Sequence, residues 1–142
     1  MSTLNAQNVK HETSGINTLV FDNGGTSGGN GRVTCKGTIG EISPVSYAST
    51  ITLDMRTANN FSTTLTGNVT FANPSNIAPG QSGVIFITQD STGSRTGAWG
   101  SYWDFPGGTA PTLTTTASGV DAIVWVARTS TKIACQSILA LS

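Results

Sequence analysis

Apolar residues in this chain recur at every second position, and no stretch of useful length repeats at the three-to-four spacing of a helix. Ile51, Leu53 and Met55 alternate with Thr52, Asp54 and Arg56, which sets one group of side chains on each face of an extended strand. Phe61, Thr63 and Leu65 mark the next strand. Thr66-Gly67-Asn68-Val69 predicts a tight hairpin, because Gly-Asn supplies the positive φ that a two-residue turn requires, and Val69 and Phe71 begin the return strand. Val84-Ile85-Phe86-Ile87 is a continuous apolar run, the pattern of a strand covered on both faces. Val120 to Ala127 forms a strong strand around Trp125, and Ile133, Cys135, Leu139 and Leu141 share one parity in a last strand. Asn73-Pro74, Pro79-Gly80 and Pro106-Gly107-Gly108 separate these runs as turns. Abundant Thr, with Val and Ile, favours strands throughout. The expectation is an all-β chain, built as an antiparallel β-sandwich or jelly-roll-like domain over residues 49–142.

Residues 1–48 read differently. Ile16 to Phe21 is a plausible strand, but Asn23 to Arg32 carries five glycines in ten residues and behaves as a loop or tether. The expectation is an extended N-terminal arm with one or two strands that pair elsewhere, contacting a partner protein through Val9, Ile16, Leu19 and Phe21.

Composition narrows the partners. Seven basic residues balance seven acidic ones, so no positive excess exists to neutralise phosphates and no nucleic-acid partner is expected. Charged residues are 10% of the chain, against about a quarter in an ordinary domain. Ser, Thr, Asn and Gly cover the surface instead, which suits a chain whose surface is occupied by neighbours. No apolar run reaches the ~18 residues of a membrane span, and Met1 to Lys10 lacks the basic-then-apolar pattern of a secretory signal. Cys35 and Cys135 fit neither a zinc knuckle nor a redox motif. They read as reduced thiols, one or both buried, with pairing between them left open.

Traces of catalysis are few. His11 is the one histidine, and no GxSxG turn supports a nucleophilic serine. Asp54, Asp90, Asp104 and Asp121 are candidates for a carboxylate pair, yet each sits beside a turn or on a polar strand face. The glycine run lacks the GK[ST] of a phosphate loop. Neither an enzyme nor a bound cofactor is expected. Trp99, Tyr102, Trp103 and Phe105 crowd into seven residues around Asp104. They form either a platform on which a glycan ring stacks or a cluster filling the core or a subunit interface.

An ordered set of motifs runs through the second half of the chain. It comprises Gly67-Asn68-Val69-Thr70, Asn73-Pro74, Pro79-Gly80-Gln81-Ser82-Gly83, Ile87-Thr88-Gln89-Asp90 and Gly93-Ser94-Arg95-Thr96, followed by Phe105 to Pro111 and Ala117 to Asp121. With them, residues 51–141 resemble the C-terminal β domain of tailed-bacteriophage virion proteins, notably tail-fibre-like chains. Leu4 to His11, with Ser14-Gly15, resembles the start of phage structural proteins that open with a pairing arm. The resemblance implies a non-enzymatic virion protein, made in the host cytoplasm and assembled on the particle as a homotrimer. A short arm before a compact β domain suits a capsid decoration or cement protein whose arm adds a strand to the major capsid protein. The alternative is a short tail-fibre or tail-tip protein that docks on a tail protein and binds a host receptor or surface glycan.

Overall fold

The computed structural model describes residues 40–141, all within a compact unit, Ile39–Ser142. Nine strands follow in order: β1 Ile42–Pro44, β2 Thr50–Ile51, β3 Asn60–Leu65, β4 Val69–Phe71, β5 Ser82–Gln89, β6 Gly97–Trp99, β7 Trp103–Asp104, β8 Val120–Thr129 and β9 Lys132–Ile138. Helix among the described residues is limited to a 3-10 turn at Pro106–Gly108, where Gly107 takes a φ of 65°.

The chain winds as a coil. β1, β3 and β5 lie in one sheet (sheet A), while β2, β4 and β6 form a second (sheet B). Each connection passes the chain to the other sheet, so the strands that pair are next-but-one in sequence and run parallel. Three turns of coil result: β1–β2, β3–β4 and β5–β6. The end is closed by β8, antiparallel to β5, and by β9, antiparallel to β8, with β7 parallel to β9 at the far edge.

This overturns the expected antiparallel β-sandwich or jelly roll. Five of the seven strand pairings are parallel. Period-two patterning reports which face of a strand is buried and is blind to the direction of its neighbour, which the connections set. Thr66-Gly67-Asn68 illustrates the point. β3 and β4 do not pair, and neither Gly67 nor Asn68 takes a positive φ. The segment is a corner between sheets, fixed by Tyr47, whose hydroxyl donates to the Asn68 carbonyl at 3.0 Å, and by the Asn68 side-chain oxygen, which accepts from Thr96 N at 3.0 Å. β1 lies N-terminal of Ser49 and pairs in register with β3. The last strand ends at Ile138; beyond it Leu139 and, after the positive φ of Ala140, Leu141 are exposed, while Ile133 and Cys135 are buried.

One core fills the space between the sheets. Phe61, Leu65, Ile85, Ile87, Ile123 and Trp125 come from sheet A, and Ile51, Val69 and Phe71 from sheet B. Leu53 and Met55 are also buried, on an extended segment bridged to Ser75 rather than on a full strand. The loops are locked by buried or half-buried polar side chains. Gln89, 2% exposed, copies a strand partner by donating to Arg95 O and accepting from Arg95 N. At Gly83 a Cβ would collide with the Asn59 carbonyl, so only glycine lets the connection before β3 lie across β5.

Candidate functional site

In-register parallel pairing stacks like positions at the strand spacing of about 4.8 Å. Phe71 on β4 pairs with Trp99 on β6, and their rings stack with centroids 4.5 Å apart at 19°. Trp103 and Phe105 meet the Trp99 ring edge-on at 5.3 and 5.0 Å. Trp103 is buried, and its indole N–H donates to the Ala72 carbonyl at 3.0 Å. Tyr102 is half-buried; its backbone is held by Asn73 and Ile133. The structure thus brings Trp99 and Trp103 together with Phe71 and Phe105, while Tyr102 packs half-buried against the core. The Trp99 indole N–H is buried without a partner.

The four candidate carboxylates are placed apart in function. Asp54 accepts from Asn76 Nδ2 and Arg56 N, and these bonds hold its carboxyl below the usual carboxylate range. Asp90 pairs with Arg95 and accepts from Gly93 N and Thr92 N, with the same effect. Asp104 is lowered by Lys132 and Arg128, which both reach it from the β8–β9 hairpin. Asp121, 1% exposed, accepts from Thr114 N at 2.7 Å, Thr114 Oγ1 at 2.6 Å and Ala140 N at 3.0 Å. Each carboxylate fastens a loop. Among the described residues no group of three or more His, Cys, Asp and Glu is set to hold a metal ion. Cys135 is a free thiol whose pKa burial pushes up to about 12. His11, Cys35 and the arm residues Val9, Ile16, Leu19 and Phe21 lie outside the described residues.

The feature that sequence reading missed is the outer face of sheet A. Registers align Ile42, Asn60, Val84, Val124 and Gln136 in one row across the sheet, and Pro44, Ser62, Phe86, Ala122 and Ile138 in the next. Ile42, Val124, Val126 and Ile138 are each more than 40% exposed, and Val84 and Phe86 are half-buried. A depression of about 360 Å³ opens on this face where Ser82 and Ala134 flank Val124 and Val126. No charged side chain stands in the two aligned rows. Charge occurs at one end, where Asp104, Arg128 and Lys132 neutralise one another apart from a single positive charge. The signal was present in part: β5 reads as a strand covered on both faces, yet only one face is fully buried.

No protein-family model matches the chain, and no curated protein and no solved structure is significantly similar to it.

Proposed function

We propose that this chain is a non-enzymatic structural protein of a tailed-bacteriophage virion, a capsid decoration or cement protein that attaches through its N-terminal arm. The observation that carries an assembly role is the outer face of sheet A, which has no charge in its two central rows and leaves Ile42, Val124, Val126 and Ile138 exposed. Exposed apolar area of this kind marks surfaces that bind other macromolecules. The virion setting comes from the motif series Gly67 to Asp121 and from the arm-like opening. In this reading the protein assembles as a homo-oligomer, a trimer by the same resemblance, with the arm held by the major capsid protein.

The test is to add purified protein to particles that lack it and to count bound copies. Many copies spread over the shell are expected for the full chain, and none after deletion of residues 1–22. Binding confined to the tail would move the assignment to a tail-tip protein. Undiminished binding by the truncated chain would place attachment in the β domain and overturn the role given to the arm.

A further inference from the structure

The outer face of sheet A has a specific occupant, and we infer that it is the same face of another copy of this chain. The inference rests on the assembly reading above and names what covers the surface; a face set against itself closes as a pair, so the unit it builds is a dimer, and a threefold contact would use another surface of the chain.

Three observations select a second copy. The first is the sequence of the strands themselves. Val84-Ile85-Phe86-Ile87 in β5 and Ala122 to Val126 in β8 are continuous apolar runs, which belong to strands with both faces covered. In the single chain the inner face is sealed, while Val124 and Val126 remain 42% and 44% exposed. The second is charge. An interface between identical copies related by a twofold axis sets each patch against itself, so any charge near the centre would face its like. The two central rows hold none, and at one end Arg128 and Lys132 share Asp104, which leaves one positive charge per copy outside those rows.

The third is area. Five strands of sheet A, β1, β3, β5, β8 and β9, lie side by side across the face. At about 4.8 Å per strand and about 3.3 Å per residue the face is about 24 Å wide and about 20 Å long. Two such faces give about 1,000 Å² of flat contact, which reaches the lower bound of a specific interface at about 1,000 Å² before side-chain relief is added. Twisted sheets pack face to face at about 10 Å with interdigitated side chains, and the dent beside Ala134 and Ser82 is a place for an opposing side chain to enter.

The experiment uses the full chain in solution, without particles. Light scattering and sedimentation at about 10–100 μM are expected to give a mass of two chains or an even multiple, and a mass of three would overturn the inference. The double variant Val124→Glu, Val126→Glu should reduce it to one chain with an unchanged far-ultraviolet circular dichroism spectrum. Thr92→Glu, on an exposed turn away from the face, should leave assembly intact. The milder pair Val124→Thr, Val126→Thr, which keeps the β-branched shape, serves if the glutamate variant does not fold: it should dissociate at a concentration about tenfold higher than the unmodified chain. A monomer throughout the concentration range would overturn the inference, as would a double variant that stays assembled. An unchanged dissociation concentration for the threonine pair would likewise overturn it. Assembly in solution without binding to particles would leave this inference standing and defeat the virion reading.

Discussion

Asp121 shows how a single residue organises a fold poor in charge. Its buried carboxylate takes hydrogen bonds from Thr114 N, Thr114 Oγ1 and Ala140 N, tying the long loop before β8 and the segment after β9 to one point on β8. Asp121→Ala would leave Thr114 N without its acceptor and Ala140 N with Thr114 Oγ1 alone, and bonds to a carboxylate are each worth about 1.5–3 kcal/mol. The expected loss is about 3 kcal/mol, read as a lower urea midpoint at unchanged slope. Asp54, Asp90 and Asp104 lie nearer the solvent, and their hydrogen bonds and ion pairs lower their pKa. Their folded values lie below the unfolded value, so their contribution is full above about pH 4 and disappears as pH falls through the folded values. Melting temperatures measured from neutral pH downward should hold steady to about pH 4 and then fall. Cys135 has the opposite sign. Its folded pKa is raised to about 12, so stability is unaffected below the ordinary thiol value and declines as pH rises above about 9 toward the folded value. With Cys35→Ser in place, Cys135 should resist a thiol reagent at pH 8 until the chain is unfolded, and prompt labelling of the native protein would contradict its burial.

Elements make the second scale, and the stacked column of sheet B shows what holds the coil's turns together there. Ile51, Phe71 and Trp99 lie at matched positions on β2, β4 and β6, strands of two or three residues with little hydrogen bonding of their own. The Phe71–Trp99 stack therefore carries much of the cohesion between two turns. Aromatic pairs contribute about 0.5–1.5 kcal/mol beyond the area they bury, and Trp→Ala at a packed site costs about 3–5 kcal/mol. Since Trp99 is only half-buried, Trp99→Ala should cost about 2–3 kcal/mol in chemical denaturation. Trp99→Phe should recover most of that loss. If Trp99 instead stacked a glycan in solution, Trp99→Ala would abolish glycan binding at unchanged stability. This element was partly legible in the sequence. The crowding of Trp99, Tyr102, Trp103 and Phe105 announced a cluster, and Val69 and Phe71 announced an inward-facing strand. The partnership of Phe71 with Trp99 was hidden, because their contact depends on parallel pairing across an intervening sheet A strand. No local spacing encodes that.

For the molecule as a whole, the sequence revealed burial and concealed direction. The inward sets Ile51/Leu53/Met55, Phe61/Leu65 and Ile133/Cys135 are all buried, whereas the turn at Gly67-Asn68 changes sheets instead of reversing the strand. The outer face was concealed for a related reason: Val84 and Phe86 on one strand and Val124 and Val126 on another form a surface only once the pairing registers are fixed. A coil closed by a hairpin has a mechanical consequence that an antiparallel sandwich would not share. In a stacked array each turn is stabilised mainly by its neighbours, so the ends open before the middle. Here β5 is held by β3 over six residue pairs on one side and by β8 over seven on the other, and β8 is held in turn by β9. β1 and β2 pair over three and two positions only. Native-state hydrogen exchange should therefore be slowest at the central amides of β5 and β8, with opening energies that approach the global unfolding value. β3 should come next, and β1 and β2 should exchange first through local opening. Equal protection of β1 and β5 would mean that the described turns unfold as one unit, and the coil would then have no weak end from which to open.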